Sequence, residues 1–413
     1  MEKKSYKIIS FLSALIIPLL VTGPFLPDLI LSLTAIWFIF YTIKYKKIYI
    51  YNNIYFFIFL AFCILTIISS LLSENILLSF ESSLFYFRIG IFALMVSYLI
   101  DVNKNILNYF YYFFLVTFYI LIFDGFIQYY YGYNLIGYPI QGVRVSSFFG
   151  DELIMGSYLS RLFPLFFGLF ILKSNKSFFE ISTFYLLLIL TYLMIFMSGE
   201  RVSFFFINLV LFFTVLFMRE QRIIRLSLLI IAISSVVYLG FDDSKYYKRF
   251  ILEPIHSFGL KKESTKKYIF SPQHDDLYKT AWNMFLDKPI IGHGPKLFRI
   301  KCKEKKYNES LQNACDTHPH NFYIQLLAET GILGFAFLFG FFLFLVFKII
   351  QNFCRILLKK KILFNDYQIC LLSGLLITLW PIIPNGNFFN NYLMILYSLQ
   401  IGFFKAYKEN VQN

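Results

Sequence analysis

Long apolar runs separated by short polar connections fill this chain, and one polar interval of about 85 residues interrupts them. Each run approaches the ~20 residues that an α-helix needs to cross a bilayer. The runs predict about twelve helices, near 8–22, 25–43, 54–72, 80–100, 106–126, 153–172, 178–197, 203–218, 226–240, 331–350, 366–384 and 388–405. The first pair is divided by Gly23, Pro24 and Pro27, which leaves a broken or re-entrant hairpin open as the alternative. No small-residue cleavage site follows the first run, so it reads as a retained helix.

The pattern therefore predicts an all-α polytopic membrane protein with one long external loop between helices 9 and 10. Three segments follow from it: helices over 1–240, a polar loop over 241–330 and helices over 331–413. Composition agrees. With 58% hydrophobic and 15% charged residues and a mean hydropathy of +0.64, the chain carries more apolar side chain than a soluble interior of this size holds. Continuous apolar runs, as opposed to alternating ones, exclude a β-barrel.

Basic residues mark alternate connections. Lys3, Lys4 and Lys7 precede the first run; Lys44, Lys46 and Lys47, then Lys104, then Lys173 and Lys176, then Arg219, Arg222 and Arg225 follow in turn, and Lys359, Lys360 and Lys361 continue the series. The opposite short connections hold little beyond Arg144 and Arg201. This asymmetry predicts cytoplasmic termini and an external polar loop. Much of the +14 net charge is then topological, and no nucleic-acid partner is needed to explain it. The loop itself has fifteen Lys plus Arg against ten Asp plus Glu over 241–325, a basic surface suited to anionic lipid or phosphate-bearing substrates or simply a solvated one.

Several polar residues stand where they are costly. Arg88 and Arg161 each lie about eight residues into a predicted helix, roughly 12 Å deep at 1.5 Å per residue. With Asp124, Asp151 and Glu152 at similar depth, they suggest a pocket opening outward, or else Arg–carboxylate pairs that lock helices together. Ser198, Gly199, Glu200 and Arg201 form a tight external turn. A guanidinium there matches phosphate oxygens bidentately, with Arg144 as a second contributor; a Glu200–Arg201 surface pair is the competing account.

All five histidines, His256, His274, His293, His318 and His320, fall in the polar loop. Ser271, Pro272 and the acids after them read as a helix start. Gly292, His293 and Gly294 form a GxG with no preceding strand, too weak for a nucleotide site. Cys302 and Cys315, with twelve residues between them, are candidates for a disulfide in an oxidising exterior, a zinc site being the alternative. In the stretch CDTHPHNFYIQLLAETGILG, Thr317 or His318 is a candidate helix cap, which puts His320 at a positive helix terminus that favours the neutral imidazole. Asn321, Gln325 and Glu329 then form a polar stripe. His318 is placed to orient His320 or, as His-x-His, to bind a metal; His256 and His293 read as solvated.

Here the sequence resembles the O-antigen ligase family. That family's hallmark is His, then Asn, Ser or Gln, nine residues, Gly, two residues, Gly, and this chain has His320, Asn321, Gly331 and Gly334 at that spacing. The twelve-helix layout, the loop before helix 10 and the SGER turn agree, although the family's leucine four residues beyond the arginine is Phe205. The resemblance implies a GT-C-like membrane glycosyltransferase at the bacterial inner membrane, working on its periplasmic side without cofactor or metal. It implies transfer of a glycan from undecaprenyl diphosphate to a sugar hydroxyl of the lipopolysaccharide core. By the same resemblance His320 is the catalytic base and Arg201 the diphosphate-binding arginine. A second loop arginine is also implied, with Arg249 and Arg299 as candidates and His274 standing at the usual place. An O-antigen or exopolysaccharide polymerase, a protein O-glycosyltransferase and a lipid-linked glycan transporter remain the alternatives.

Overall fold

The computed structural model describes residues 2–173, 176–219, 222–241, 245–257, 271–308 and 313–406. Among these residues the chain is helical, with two isolated bridge contacts, Tyr133 with Pro139 and Gln141 with Arg144, and no strand. In order the main helices are α1 (Glu2–Leu19), α2 (Phe25–Lys44), α3 (Ile54–Leu71), α4 (Ile76–Ser83), α5 (Phe87–Val102), α6 (Asn105–Tyr131), α7 (Met155–Leu172), α8 (Phe178–Met197), α9 (Arg201–Phe217) and α10 (Arg222–Phe241). After them come α11 (Pro272–Asp287), α12 (Phe322–Leu357), α13 (Asp366–Thr378) and α14 (Asn391–Ala406).

Eight helical stretches are long and apolar enough to cross a membrane. Both α1 and α2 are among them, so the first pair is two separate helices and not a broken hairpin. Shorter apolar helices, Arg201–Phe217, Arg225–Ser234, Asp366–Thr378 and Asn391–Phe404, stand at the other four expected positions. The fourth expected helix, however, is split. A tight turn at Leu84–Tyr86 separates α4 from α5 within one apolar stretch, Ile76–Val102, and Arg88 is the second residue of α5.

Lipid offers no hydrophobic drive for helices to associate, so packing density and buried polar contacts hold such a bundle together. Here α14 packs on α5, α13 on α7 and α9, and α1 on α2 and α6. Phe114, Phe118, Phe166 and Phe184 are fully buried and make ring contacts that join α6, α7 and α8.

The segment around α11 covers one end of the bundle, the capped end. Lys301 pairs with Glu74 at 2.5 Å and Lys296 with Glu81 at 2.8 Å, fastening it to the α3–α4 turn. The Tyr246 hydroxyl donates to the Val143 carbonyl at 3.0 Å and reaches the α6–α7 connection. Its own small core is built from Leu277, Ala281, Met284, Phe298 and Tyr307. Ser271 caps α11 by accepting from the His274 N–H, with Pro272 in the first turn, the local chemistry expected of those residues.

Where the segment rejoins the membrane, α12 is broken at Gly331, whose φ of +66 and ψ of −166 are not helical. Residues 289–294 cross the helix at this break. The Ile332 N–H donates to the Pro289 carbonyl at 2.8 Å, and the His293 N–H to that of Ala328 at 3.0 Å. A Cβ on Gly331 would lie 2.3 Å from the Ile290 carbonyl carbon, and one on Gly292 2.3 Å from that of Glu329. Both glycines are also left-handed. The GxG of the loop and the first glycine of the His-Asn spacing therefore belong to one crossing.

Candidate active site

His320 lies just before α12, and the true N-cap is the residue after it. Asn321 Oδ1 accepts from the N–H groups of Tyr323 (2.9 Å) and Ile324 (3.2 Å), which corrects the expected cap at Thr317 or His318. A helix start at Phe322 leaves His320 free to adopt φ +54, a conformation uncommon outside glycine. The Asn321 amide turns the other way and donates to the Pro381 carbonyl at 2.7 Å.

The His320 imidazole is one-third exposed, and its Nε2 lies 3.1 Å from Asp316 Oδ2. Burial alone would raise the Asp316 pKa, but the His320 ring and the Thr317 N–H outweigh it and hold the carboxyl below its ordinary value. Asp316 went unnoticed in the sequence; the only signal was an acid four residues before the histidine. The His318 ring lies 4.2 Å from that of His320, centroid to centroid, and tilted by 47°, while its Nδ1 meets the Thr317 hydroxyl at 2.9 Å. Burial, then the charges of His320 and Arg299, push its pKa down to about 3. The group that contacts His320 Nε2 is thus Asp316 and not His318.

From α11, His274 presents its ring edge-on to His320 at 5.6 Å. Its pKa is lowered by burial first, then by the charges of His320 and Arg201. Arg201 begins α9, is exposed, and forms no ion pair among the described residues. The reason lies in its neighbour. Glu200 accepts from the N–H of Gly156 at 2.6 Å and of Ser157 at 3.1 Å, and from the Ser203 hydroxyl at 2.9 Å. It closes the first turn of α7, so the expected Glu200–Arg201 pair is replaced by a helix cap and a free guanidinium.

Two further arginines flank the same turn. Arg249 Nε donates to the Gly199 carbonyl at 2.7 Å, and its Nη1 lies 3.5 Å from Glu253. Arg144 donates to the carbonyls of Leu153 (2.9 Å) and Ser198 (3.4 Å). The charges of Arg201 and Arg249 both act on Arg144, so three guanidinium groups face one small region. Arg299 is elsewhere: its charge acts on His318 and Glu81, and its Nε is buried without a partner.

Other expected residues do not join this cluster. Arg88 pairs with Asp28 at 2.7 Å, a lock between α5 and α2. Asp124 is fully buried and accepts from the Leu135 N–H and the Ser147 hydroxyl, holding the α6–α7 connection. Arg88 and Asp124 thus take the alternative role expected of these charges, as fastenings within the bundle. Arg161 is buried and donates to Asn385 Oδ1 at 2.6 Å. His293 is buried, not solvated, with Nε2 3.0 Å from the Met284 carbonyl. The side chain of His256 lies outside the described residues. Cys302 and Cys315 form a disulfide with Cα atoms 5.0 Å apart, which anchors the residue before Asp316. Among the described residues no group of three or more His, Cys, Asp or Glu side chains is arranged to hold a metal ion. A small, partly open cavity of about 40 Å³ lined by Phe163, Tyr192, Leu211 and Arg225 lies apart from these groups.

Gln325 and Glu329 continue the stripe from Asn321, but inward. Gln325 bonds Glu329 and Asn387, each at 2.9 Å, and Glu329 accepts from the Phe298 N–H at 3.1 Å. The stripe is a fastening between α12, the α13–α14 connection and the capping segment.

The described residues thus form a polytopic helical membrane protein with an imidazole–carboxylate pair and three arginines at its capped end. Residues 185–339 match a family model described as O-antigen ligase, from α8 through the arginine turn and the capping segment to the glycine break of α12. No curated protein matches the chain. Residues 185–339, less than half of the chain, are thus similar to that family.

Proposed function

We propose that this protein is an O-antigen ligase, transferring a glycan from undecaprenyl diphosphate to a sugar hydroxyl of the lipopolysaccharide core at the periplasmic face of the inner membrane. The observation that carries this reading is the link between the two halves of the site: Arg201 acts on His274, and His274 packs against His320. A phosphate-binding group and a candidate base thus share one region at the capped end.

In the proposed reaction His320 donates Nε2–H to Asp316, which leaves Nδ1 as the proton acceptor. Nδ1 takes the proton of the acceptor hydroxyl as its oxygen attacks the anomeric carbon. The bond from that carbon to the diphosphate breaks, and the leaving diphosphate departs with its electron pair. Charge grows on the leaving group, where Arg201, Arg144 and Arg249 are preorganised to stabilise it. A single displacement of this kind inverts the anomeric configuration.

The test is purified protein in lipid nanodiscs with lipid-linked glycan and core acceptor. His320→Ala is expected to lose transfer; near wild-type transfer would overturn the base assignment. Gene deletion identifies the acceptor: free polymer unattached to core supports a ligase, whereas core bearing one repeat supports a polymerase.

A further inference from the structure

Arg161 poses a problem that the proposed reaction leaves unanswered. It stands on the second turn of α7, is 3% exposed, and is a permanent cation inside a helix of membrane-spanning length. Its partners are Asn385 Oδ1 at 2.6 Å, the Ser157 hydroxyl, and the face of Phe206 at 4.9 Å, none of them an acid, and its Nε is buried with no partner. Charges in such places are expensive, and where they persist they generally serve function.

The route from Arg161 to the reacting region runs through Asn385. The Asn385 side chain accepts from Arg161 and donates to the Thr378 carbonyl at 3.0 Å. Its main-chain N–H donates to the His320 carbonyl at 2.6 Å. His320 has a left-handed backbone, a conformation that a β-carbon disfavours and that persists where its surroundings over-determine it. The next residue is held by the same connection, since Asn321 donates to the Pro381 carbonyl. The Tyr323 hydroxyl donates to the Leu379 carbonyl at 2.5 Å.

We infer that Arg161 and Asn385 are positioning residues: Arg161 fixes Asn385, and Asn385 holds the His320 peptide in the conformation that presents its imidazole to Asp316 and to the acceptor. This rests on the reading of His320 as the base. A cation suits the first place because it donates to Asn385 Oδ1 from within α7 whatever the pH, guanidinium never losing its proton in this range. Asparagine suits the second because its Oδ1 accepts from Arg161, the contact that fixes it, and its amide donates to Thr378 in addition.

The experiment uses the full chain in nanodiscs with three variants, Asn385→Leu, Asn385→Asp and Arg161→Met, and His320→Ala in parallel. Asn385→Leu and Arg161→Met are expected to lower kcat about 100-fold, the scale of a small misplacement of a reacting group, while the KM for the lipid-linked donor stays within about twofold. Asn385→Asp keeps the acceptor for Arg161 and is expected to restore kcat to within about threefold of wild type. Hydrogen exchange over 318–325 supplies a readout independent of turnover, with protection falling about tenfold or more in Asn385→Leu and Arg161→Met and being retained in Asn385→Asp. If Asn385→Leu does not purify as a single species, Asn385→Ser takes its place with the same expected split. Unchanged protection or unchanged kcat in the Leu or Ser and Met variants overturns the inference. An inactive His320→Ala beside a fully active Asn385→Leu overturns it alone, whereas an active His320→Ala overturns the base reading.

Discussion

His320 Nε2 and Asp316 Oδ2 are 3.1 Å apart, and the two residues are separated by a single turn of non-helical chain that the Cys302–Cys315 disulfide anchors at its start. In the proposed reaction the carboxylate selects which ring nitrogen carries the proton. Asp316→Asn keeps the shape but can present its amide N–H to the ring and favour the wrong tautomer, so kcat is expected to fall about 10- to 100-fold with little change in donor KM. Steady-state transfer kinetics on purified protein check this; a wild-type kcat would remove Asp316 from the reaction.

Charge removal at the arginine cluster should act differently. Arg201→Gln is expected to lower kcat/KM for the lipid-linked donor about 100-fold, since its guanidinium has no competing ion pair among the described residues. Arg144→Gln should cost less, about tenfold, because that side chain already spends donors on the carbonyls of Leu153 and Ser198. Equal losses in the two variants would argue against Arg201 as the principal contact.

Acid should weaken the capping segment through its buried imidazoles. His318 has a folded pKa of about 3, and those of His274 and His293 are also lowered, burial being the first cause in each. A depressed histidine pKa means that the unfolded chain binds more protons between its ordinary value near 6.5 and the folded value. Stability from these groups is complete above that ordinary value and is lost as pH falls from it toward 3. Thermal unfolding followed from pH 7.5 to 4.5 should show a falling Tm, and His318→Gln should flatten the slope. An equal slope in that variant would exclude His318 as a source.

Reducing the disulfide should loosen the same region. Closing a loop of this length contributes about 3 kcal/mol in the chain-entropy treatment, so Cys302→Ser with Cys315→Ser should lower Tm and raise proteolysis within the capping segment. A reductant should do the same to the wild type and leave the double variant unaltered. A wild type insensitive to reductant would contradict the role assigned to the bond.

At the helix break, Gly331→Ala combines left-handed backbone with a Cβ 2.3 Å from the Ile290 carbonyl carbon. A cost above about 3 kcal/mol is expected, seen as poor recovery of monodisperse protein by size-exclusion chromatography. Gly340→Ala, where nothing lies within 4 Å of the added atom, is the control and should behave as wild type.

The helical layout was legible because an apolar run of bilayer length has few alternatives. What it hid was local. The turn at Leu84–Tyr86 contains neither Gly nor Pro, so nothing in the pattern separates α4 from α5. The His320, Asn321, Gly331 and Gly334 spacing pointed to the right place for a reason the structure supplies: Asn321 caps α12, and Gly331 lets residues 289–294 pass. Asn385 was invisible because its contact with His320 spans more than sixty residues and uses main-chain atoms. Glu200 and Arg201 look like a pair from their adjacency, yet the vacant N–H groups at the start of α7 compete better for the carboxylate.

Ser157 donates its N–H to Glu200, and its hydroxyl oxygen accepts from Arg161. One residue thus ties the turn that frees Arg201 to the chain of contacts that ends on His320. That second route, from the Arg201 turn to the His320 peptide, runs along the first two turns of α7 inside the bundle, beside the contact that His274 makes from the covering segment.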